Sequence, residues 1–113
     1  MINGKPVAYS ENEPKIEFRP GVFRTTLSYD NESMLCRFQM PKGAKIDLHE
    51  HEALQNGFII SGKLRFFHED GSFIDVGAGD GYVFASLEKH GSEALEDTDF
   101  IEFFAPCRPE YIP

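Results

Sequence analysis

Short runs of apolar residues, separated by turn-forming residues, dominate this sequence. Such runs are typical of β-strands, because alternate side chains along a strand face the same side. No window repeats apolar residues with a helical period and flanking caps, although residues 86–95 could hold a helical turn. We therefore predict little helix and seven strands, at residues 22–29, 34–40, 58–61, 64–68, 73–76, 82–85 and 100–104.

Two turn sequences indicate how these strands connect. An Asp-Gly pair, Asp70-Gly71, lies between two Phe-rich runs and favours a tight hairpin, whose central residues adopt positive φ. Residues 77–81 hold three glycines, which a strand interior tolerates poorly, and they lack the spacing of a nucleotide-binding loop. Many short strands joined in this way predict an all-β sandwich or barrel, and a jelly-roll barrel fits them best.

Length and charge limit the classes of protein that need to be considered. A chain of 113 residues suits a single domain over residues 1–113, with residues 1–15 as an N-terminal arm. The net charge of -8 disfavours nucleic acid as a partner, and no segment is apolar enough to cross a membrane. The first residues show no secretory signal, which predicts a cytoplasmic location where Cys36 and Cys107 stay reduced.

Three histidines and a glutamine form a candidate metal site. His49 and His51 are two residues apart, so a strand would place both imidazoles on one face, and Gln55 follows shortly after them. His90 comes after the predicted strand at 82–85, where closure of the barrel could bring it opposite the first pair. The four residues are compatible with one metal ion.

Alternative interpretations of these residues stay open. The histidines could be surface residues on a polar strand edge, and Gln55 could hydrogen-bond a metal-bound water instead of the metal. His68 directly precedes the turn at Asp70-Gly71, so we expect it to be a solvated strand end. Neutral ligands would leave the charge of the ion uncompensated, which favours a small anionic substrate that offers carboxylate or enolate oxygens.

A carboxylate interrupts the last apolar run. Glu102 alternates with Phe100 and Phe104, and alternation alone does not decide whether it faces the barrel interior or solvent. Inside the barrel it could act as a general base with a raised pKa or support a metal ligand. Arg108 could pair with a substrate carboxylate, although an arginine at a barrel rim is commonly a surface charge.

The spacing of these residues resembles the cupin superfamily. Gln55 stands where the first cupin motif usually has Glu. Of the second motif, Gly79 and His90 match at the correct separation, whereas its usual Pro, Gly and Asn are replaced. The positions that match the first motif are Gly43, His49, His51 and Gly62.

The cupin resemblance implies a double-stranded β-helix, which is the jelly-roll barrel, around one divalent transition metal. The sequence does not identify the ion, since imidazole suits Zn, Ni, Fe, Mn and Co alike. Cupin barrels commonly pair through an edge strand and an N-terminal arm, and exposed strand edges need cover. We therefore expect a homodimer. The metal ligands that the resemblance implies are His49, His51, Gln55 and His90.

The ending of the chain resembles the single-domain cupins of the KdgF type, which convert 4,5-unsaturated uronates to keto-uronates. Their last strand carries Asp, Phe and Arg at positions that match Glu102, Phe104 and Arg108. The resemblance implies a metal-dependent isomerase or tautomerase that acts on a uronate. Glu in place of Asp adds one methylene, which could misplace a base by about 1 Å. The alternatives are an iron-dependent dioxygenase and a non-catalytic cupin that binds a sugar or small acid.

Overall fold

The computed structural model describes residues 4–113, which form ten strands and two short 3-10 helices. The helices are Ser10–Asn12 and Pro109–Tyr111. The strands are β1 (Lys15–Arg19), β2 (Val22–Tyr29), β3 (Met34–Met40), β4 (Lys45–His49), β5 (Leu54–Ser61), β6 (Lys63–Phe67), β7 (Phe73–Gly77), β8 (Gly81–Phe84), β9 (His90–Ala94) and β10 (Thr98–Ala105).

The strands form two antiparallel sheets, with the orders β1-β2-β3-β10-β5-β8 and β4-β9-β6-β7. The last strand, β10, lies at the centre of the larger sheet between β3 and β5, and its partners are far from it in sequence. This arrangement confirms the predicted all-β jelly-roll barrel with little helix.

Alternation fixes which side chains of the larger sheet enter the core. Along β3 every second residue from Met34 to Met40 is buried, and Phe38 lies opposite Phe100 of β10 in the strand register. The two rings stack with centroids 5.3 Å apart. Burial of apolar side chains contributes roughly 1.5–3 kcal/mol each, so this inner face holds the sheets together.

All seven predicted strands are present, with ends that differ by a few residues. The sequence did not predict β1, β4 or β9, and the helical turn considered for residues 86–95 is wrong. Residues 86–87 form a turn, and β9 carries the polar sequence His-Gly-Ser-Glu-Ala. Such a strand has no apolar alternation because its inward side chains, His90 and Ser92, line the cavity rather than the core.

The predicted hairpin at Asp70-Gly71 joins β6 to β7, and Gly71 has a φ of 88°. The backbone N–H of His68 donates to the carbonyl of Ser72 over 2.9 Å, which closes the turn. The glycine-rich segment 77–81 connects β7 to β8, as predicted.

The two chain ends pack along the barrel. Lys5 forms a backbone bridge with Tyr29 of β2, and residues 1–3 of the predicted arm lie outside the described residues. At the other end, Tyr111 enters the aromatic core, with its ring centroid 5.6 Å from that of Phe104. Cys36 and Cys107 are buried free thiols. Neither 3-10 helix of the described chain has the length or hydropathy to cross a membrane.

Candidate metal centre

Three histidines converge at the open end of β4. His49 is the last residue of β4 and lies opposite His90, the first residue of β9, with ring centroids 4.5 Å apart. His51 lies beyond the end of β4 rather than on it, yet its ring is 5.5 Å from each of the other two. Their candidate ligand atoms all lie within 4.8 Å of one another, so these residues could hold one metal ion.

Backbone carbonyls orient all three rings. Each Nδ1 lies within hydrogen-bond distance of the carbonyl oxygen of a residue two positions away. A carbonyl only accepts, so Nδ1 carries the proton and the lone pair of Nε2 is free for a metal. The pairs are His49 with Asp47 (2.9 Å), His51 with Ala53 (2.5 Å) and His90 with Glu88 (2.8 Å).

Burial keeps two of the rings neutral. The pKa of His90 is lowered to about 4, mainly because burial penalises the imidazolium. The pKa of His51 is lowered as well, by burial and by the positive charge of Arg108. Since a metal binds the neutral imidazole, both rings are in the form that a metal ion requires.

Gln55 presents its amide oxygen to the same point. This oxygen lies 3.0 Å from Nε2 of His51 and 3.2 Å from Nε2 of His90. The amide nitrogen donates to Glu102 over 2.5 Å. A carboxylate accepts hydrogen bonds, so this contact fixes the amide orientation. Three imidazole nitrogens and one amide oxygen suit a divalent transition metal, and ligation by Gln55 stays a prediction.

Glu102 lies inside the barrel, which decides the question that alternation had left open. It is buried at the centre of β10, and the Tyr82 hydroxyl of β8 donates to it over 2.6 Å. Burial raises the pKa of Glu102 to about 7, while the hydrogen bonds from Tyr82 and Gln55 lower it. A carboxyl group with this pKa can exchange a proton near neutral pH.

Gly57 makes the contact between Tyr82 and Glu102 geometrically feasible. On β5, Gly57 lies opposite Glu102 on one side and Tyr82 on the other. A Cβ atom at position 57 would lie 2.1 Å from Cζ of Tyr82, which is impossible without movement. The ring therefore crosses β5 in the space that glycine leaves empty.

Phe104 and Arg108 line the same region. Phe104 is buried, and its ring centroid is 5.9 Å from that of His51. The Arg108 guanidinium carbon lies 5.1 Å from the Phe104 centroid and 4.1 Å from that of Tyr111. Arg108 also donates to Glu110 over 2.8 Å. The guanidinium group of Arg108 therefore lies beside two aromatic rings in the wall of the cavity.

A cavity of about 360 Å³ joins most of the predicted site residues. His51 does not line this cavity, but its Nε2 lies 3.0 Å from the amide oxygen of Gln55, which does line it. His68 is outside the cluster, half-buried, with its Nε2 3.4 Å from Glu88. The predicted residues that line the cavity are His49, Gln55, His90, Glu102, Phe104 and Arg108.

The sequence analysis missed Tyr82 and Arg24. Tyr82 lies on a predicted strand, but nothing local indicates that its hydroxyl reaches β10. Arg24 is buried on β2 and lines the cavity. Its signal was similar to that of Glu102, a charged residue within a predicted strand.

Comparisons with known proteins agree with this fold. An RmlC-like cupin from Shewanella frigidimarina superposes with a TM-score of 0.89 and 21% identity, over 98% of this chain and 100% of that chain. KdgF from Halomonas sp. superposes with a TM-score of 0.86 and 25% identity, over 94% and 97% of the two chains.

A curated relative gives a further match. The oxalate-binding protein of Thermotoga maritima is 31% identical over 78 residues, which is 68% of this chain. The matched segment covers 63% of that relative, less than two thirds of its length. The family model of the cupin domain matches residues 36–104, from Cys36 in the buried core to Phe104 beside the histidines, and the chain therefore belongs to the cupin domain family.

Proposed function

We propose that this cupin binds one divalent transition metal and acts on a small anionic substrate at that centre. The converging Nε2 atoms of His49, His51 and His90 support the metal, with the amide oxygen of Gln55 as the fourth ligand. All four ligands are neutral, so the ion would keep its full positive charge. This charge would bind an anionic oxygen in the cavity more strongly than a neutral one.

We propose further that the reaction is the conversion of 4,5-unsaturated uronates to keto-uronates. The observation that carries this proposal is Glu102, a buried carboxyl group that is hydrogen-bonded to Gln55 and lies in the cavity lined by His49 and Arg108. Its raised pKa, about 7, suits a group that gives and takes protons. The likeness to KdgF from Halomonas sp. supports the same substrate class.

The reaction needs proton movement but no oxidant or reductant. The ring opens as the hydroxyl on C1 loses its proton and the bond from C1 to the ring oxygen breaks, which leaves an aldehyde at C1 and an enolate at C5. The enolate becomes a ketone as C4 gains a proton. A bound metal would supply Lewis-acid polarisation of the substrate oxygens. Both hydrogen bonds to Glu102 end on Oε2, so Oε1 is the atom that exchanges the proton. Arg108 holds the substrate carboxylate, and Phe104 excludes water beside it.

Metal analysis and an activity assay test this proposal. The purified protein is expected to hold about one equivalent of metal and to remove the ultraviolet absorbance of an unsaturated uronate. Glu102→Gln should abolish turnover and keep the metal, whereas the control Glu93→Gln, outside the cavity, should change neither. Loss of both metal and turnover in Glu102→Gln would make Glu102 a structural residue instead.

The oxalate-binding relative favours a second candidate, a cupin that binds a small acid without chemistry. Calorimetric binding of oxalate, with no turnover of any unsaturated uronate, would support this candidate. An iron-dependent dioxygenase is the third class, because three-histidine sites also activate oxygen. Oxygen consumption by the iron-loaded protein distinguishes it from the other two.

We also propose a homodimer, located in the cytoplasm. The two sheets end in four edge strands, β1 and β8 on the larger sheet and β4 and β7 on the smaller. Exposed edges favour pairing with another chain. Light scattering is expected to give twice the chain mass of 12.8 kDa, and a monomer mass would exclude the dimer.

A further inference from the structure

Arg24 is a buried cation whose position the metal centre does not explain. It lies on β2, opposite Ile16 of β1 and Phe38 of β3, with its side chain on the inner face of the larger sheet. Only 7% of the residue is exposed, although arginine is rarely buried unless it is paired. Its guanidinium carbon lies 4.2 Å from the ring centroid of Tyr111 and 5.8 Å from that of Phe18.

Arg24 lacks the carboxylate partner that such burial requires. Within residues 4–113, its Nε is a fully buried nitrogen that has no hydrogen-bond partner. No ion pair of the described chain includes Arg24, and Glu102 in the same cavity is bonded to Gln55 and Tyr82 instead. Other arginines are paired with carboxylates, namely Arg37, Arg65 and Arg108.

A buried guanidinium without a counter-ion is unfavourable, because burial removes its hydration. The rings of Tyr111 and Phe18 offset this loss only in part, since they supply no hydrogen-bond acceptor for Nε. An anion that enters from solvent would restore both the charge balance and the hydrogen bonds. Arg24 lines the same cavity as His49 and Glu102, so an anion that contacts it would lie within the proposed site.

Arg24 and Arg108 share one platform. The two guanidinium carbons lie 4.2 Å and 4.1 Å from the Tyr111 centroid, and both residues line the cavity. Tyr111 is held in turn by a hydrogen bond from the Thr26 hydroxyl to its carbonyl oxygen. Two guanidinium groups on one ring concentrate positive charge in a chain whose net charge is -8, and the Glu110 carboxylate offsets part of it at Arg108. Planar guanidinium groups suit carboxylate oxygens in particular.

We propose that Arg24, together with Arg108, binds the carboxylate of the ligand. The cavity then takes a small acid that presents its carboxylate to the two arginines and its hydroxyl or carbonyl oxygens to the metal that the histidines would hold. This inference rests on the proposed function, since it concerns the same cavity, and it assigns the recognition of the substrate carboxylate to Arg24 as well as to Arg108. The cupin resemblance does not include Arg24, because its matched positions lie in residues 43–94 and at positions 102, 104 and 108.

Calorimetry on the metal-loaded protein tests the role of Arg24, with galacturonate as the probe and neutral galactose beside it. Arg24→Met is expected to weaken galacturonate binding roughly ten- to hundredfold, because charge-assisted hydrogen bonds are lost. The galacturonate affinity of Arg24→Lys should fall between that of the wild type and that of Arg24→Met. The metal content of both variants should stay unchanged. The control Arg37→Gln, on the outer face of the neighbouring strand, should bind as the wild type does.

A measurement on the wild-type protein covers the case in which Arg24→Met does not fold. The Nε–H signal of Arg24 in a nitrogen-proton NMR spectrum, assigned by its absence in Arg24→Lys, is expected to shift with galacturonate and not with galactose. An unchanged signal, or equal affinity of the wild type for the two probes, would overturn the inference.

The outcomes also separate this inference from the proposed reaction. Unchanged galacturonate affinity in Arg24→Met, in a protein that converts unsaturated uronates, would remove Arg24 from the site and leave the proposed function standing. Weakened binding in that variant, in a protein with no turnover, would keep the anion site and reject the isomerase.

Discussion

The hydroxyl of Tyr82 donates a 2.6 Å hydrogen bond to Glu102 across an intervening strand, β5. Gly57 lies between them, and its missing side chain is replaced by the tyrosine ring. Gln55 reaches the same carboxylate oxygen from two positions earlier on β5. The proposed proton-transfer group is therefore positioned by a tyrosine two strands away and by the proposed metal ligand.

Gly57→Ala should separate Tyr82 from Glu102. The new methyl group would collide with the tyrosine ring, so the variant is expected to lose about 1–3 kcal/mol of stability through overpacking. Urea denaturation measures this loss. Gly77→Ala is the matched control, because a Cβ there meets nothing closer than 3.8 Å. Equal stability of both variants would show that the ring adapts freely.

Tyr82→Phe removes the hydroxyl and keeps the ring. Glu102 would lose one of its two hydrogen bonds inside a buried site, which costs about 1–3 kcal/mol. We expect a lower urea midpoint and slower uronate turnover with metal content unchanged. Tyr9→Phe, at a residue that is 67% exposed, serves as the control. Turnover at the wild-type rate in Tyr82→Phe would contradict the positioning role.

Chelation should destabilise the wild-type protein and leave a ligand variant unaffected. Binding to the folded state alone raises the melting temperature, so removal of the ion lowers it. His49→Ala combined with His51→Ala should hold no metal and show no response to chelator. His68→Ala, at the histidine outside the cluster, is the control that should keep the wild-type response. An equal response in all three proteins would place the metal elsewhere.

The buried thiol of Cys36 gives a prediction at alkaline pH. Burial raises its pKa from 9.0 to about 12, so the folded protein holds this proton more tightly than the unfolded chain. The stabilisation is complete below pH 9.0 and is lost as the pH rises toward about 12. The free energy of unfolding of the wild type should therefore fall more steeply over that range than that of Cys36→Ala. Equal pH dependence of the free energy of unfolding in the two proteins would show that folding does not raise the pKa of this thiol.

The sequence by itself determined which residues share a face. Alternation in strands such as β3 and β10 follows from the backbone geometry, and residues that alternate in the sequence share a face in the fold. The joint spacing of glycines and histidines indicated that His49, His51 and His90 meet, and the structure brings them together. These are local or motif-level properties, so they can be read from the chain.

The polar strand β9 was a part of the fold that the sequence did not reveal. It has no apolar alternation, because its inward side chains, His90 and Ser92, line the cavity. The period-two signal comes from burial in an apolar core, and a strand that faces a polar cavity lacks it. The other two missed strands, β1 and β4, do alternate polar and apolar residues, but each is only five residues long.

Only the tertiary structure decided what Glu102 and Arg24 contact. Alternation places Glu102 and Phe100 on the same face of β10. Which face of β10 points inward depends on the position of this strand between β3 and β5. Its contact with Gln55 joins residues 47 positions apart. The absence of a hydrogen-bond partner for Nε of Arg24, among the described residues, likewise depends on all the elements packed around it. Such relations depend on strand order across the whole barrel, which no local pattern contains.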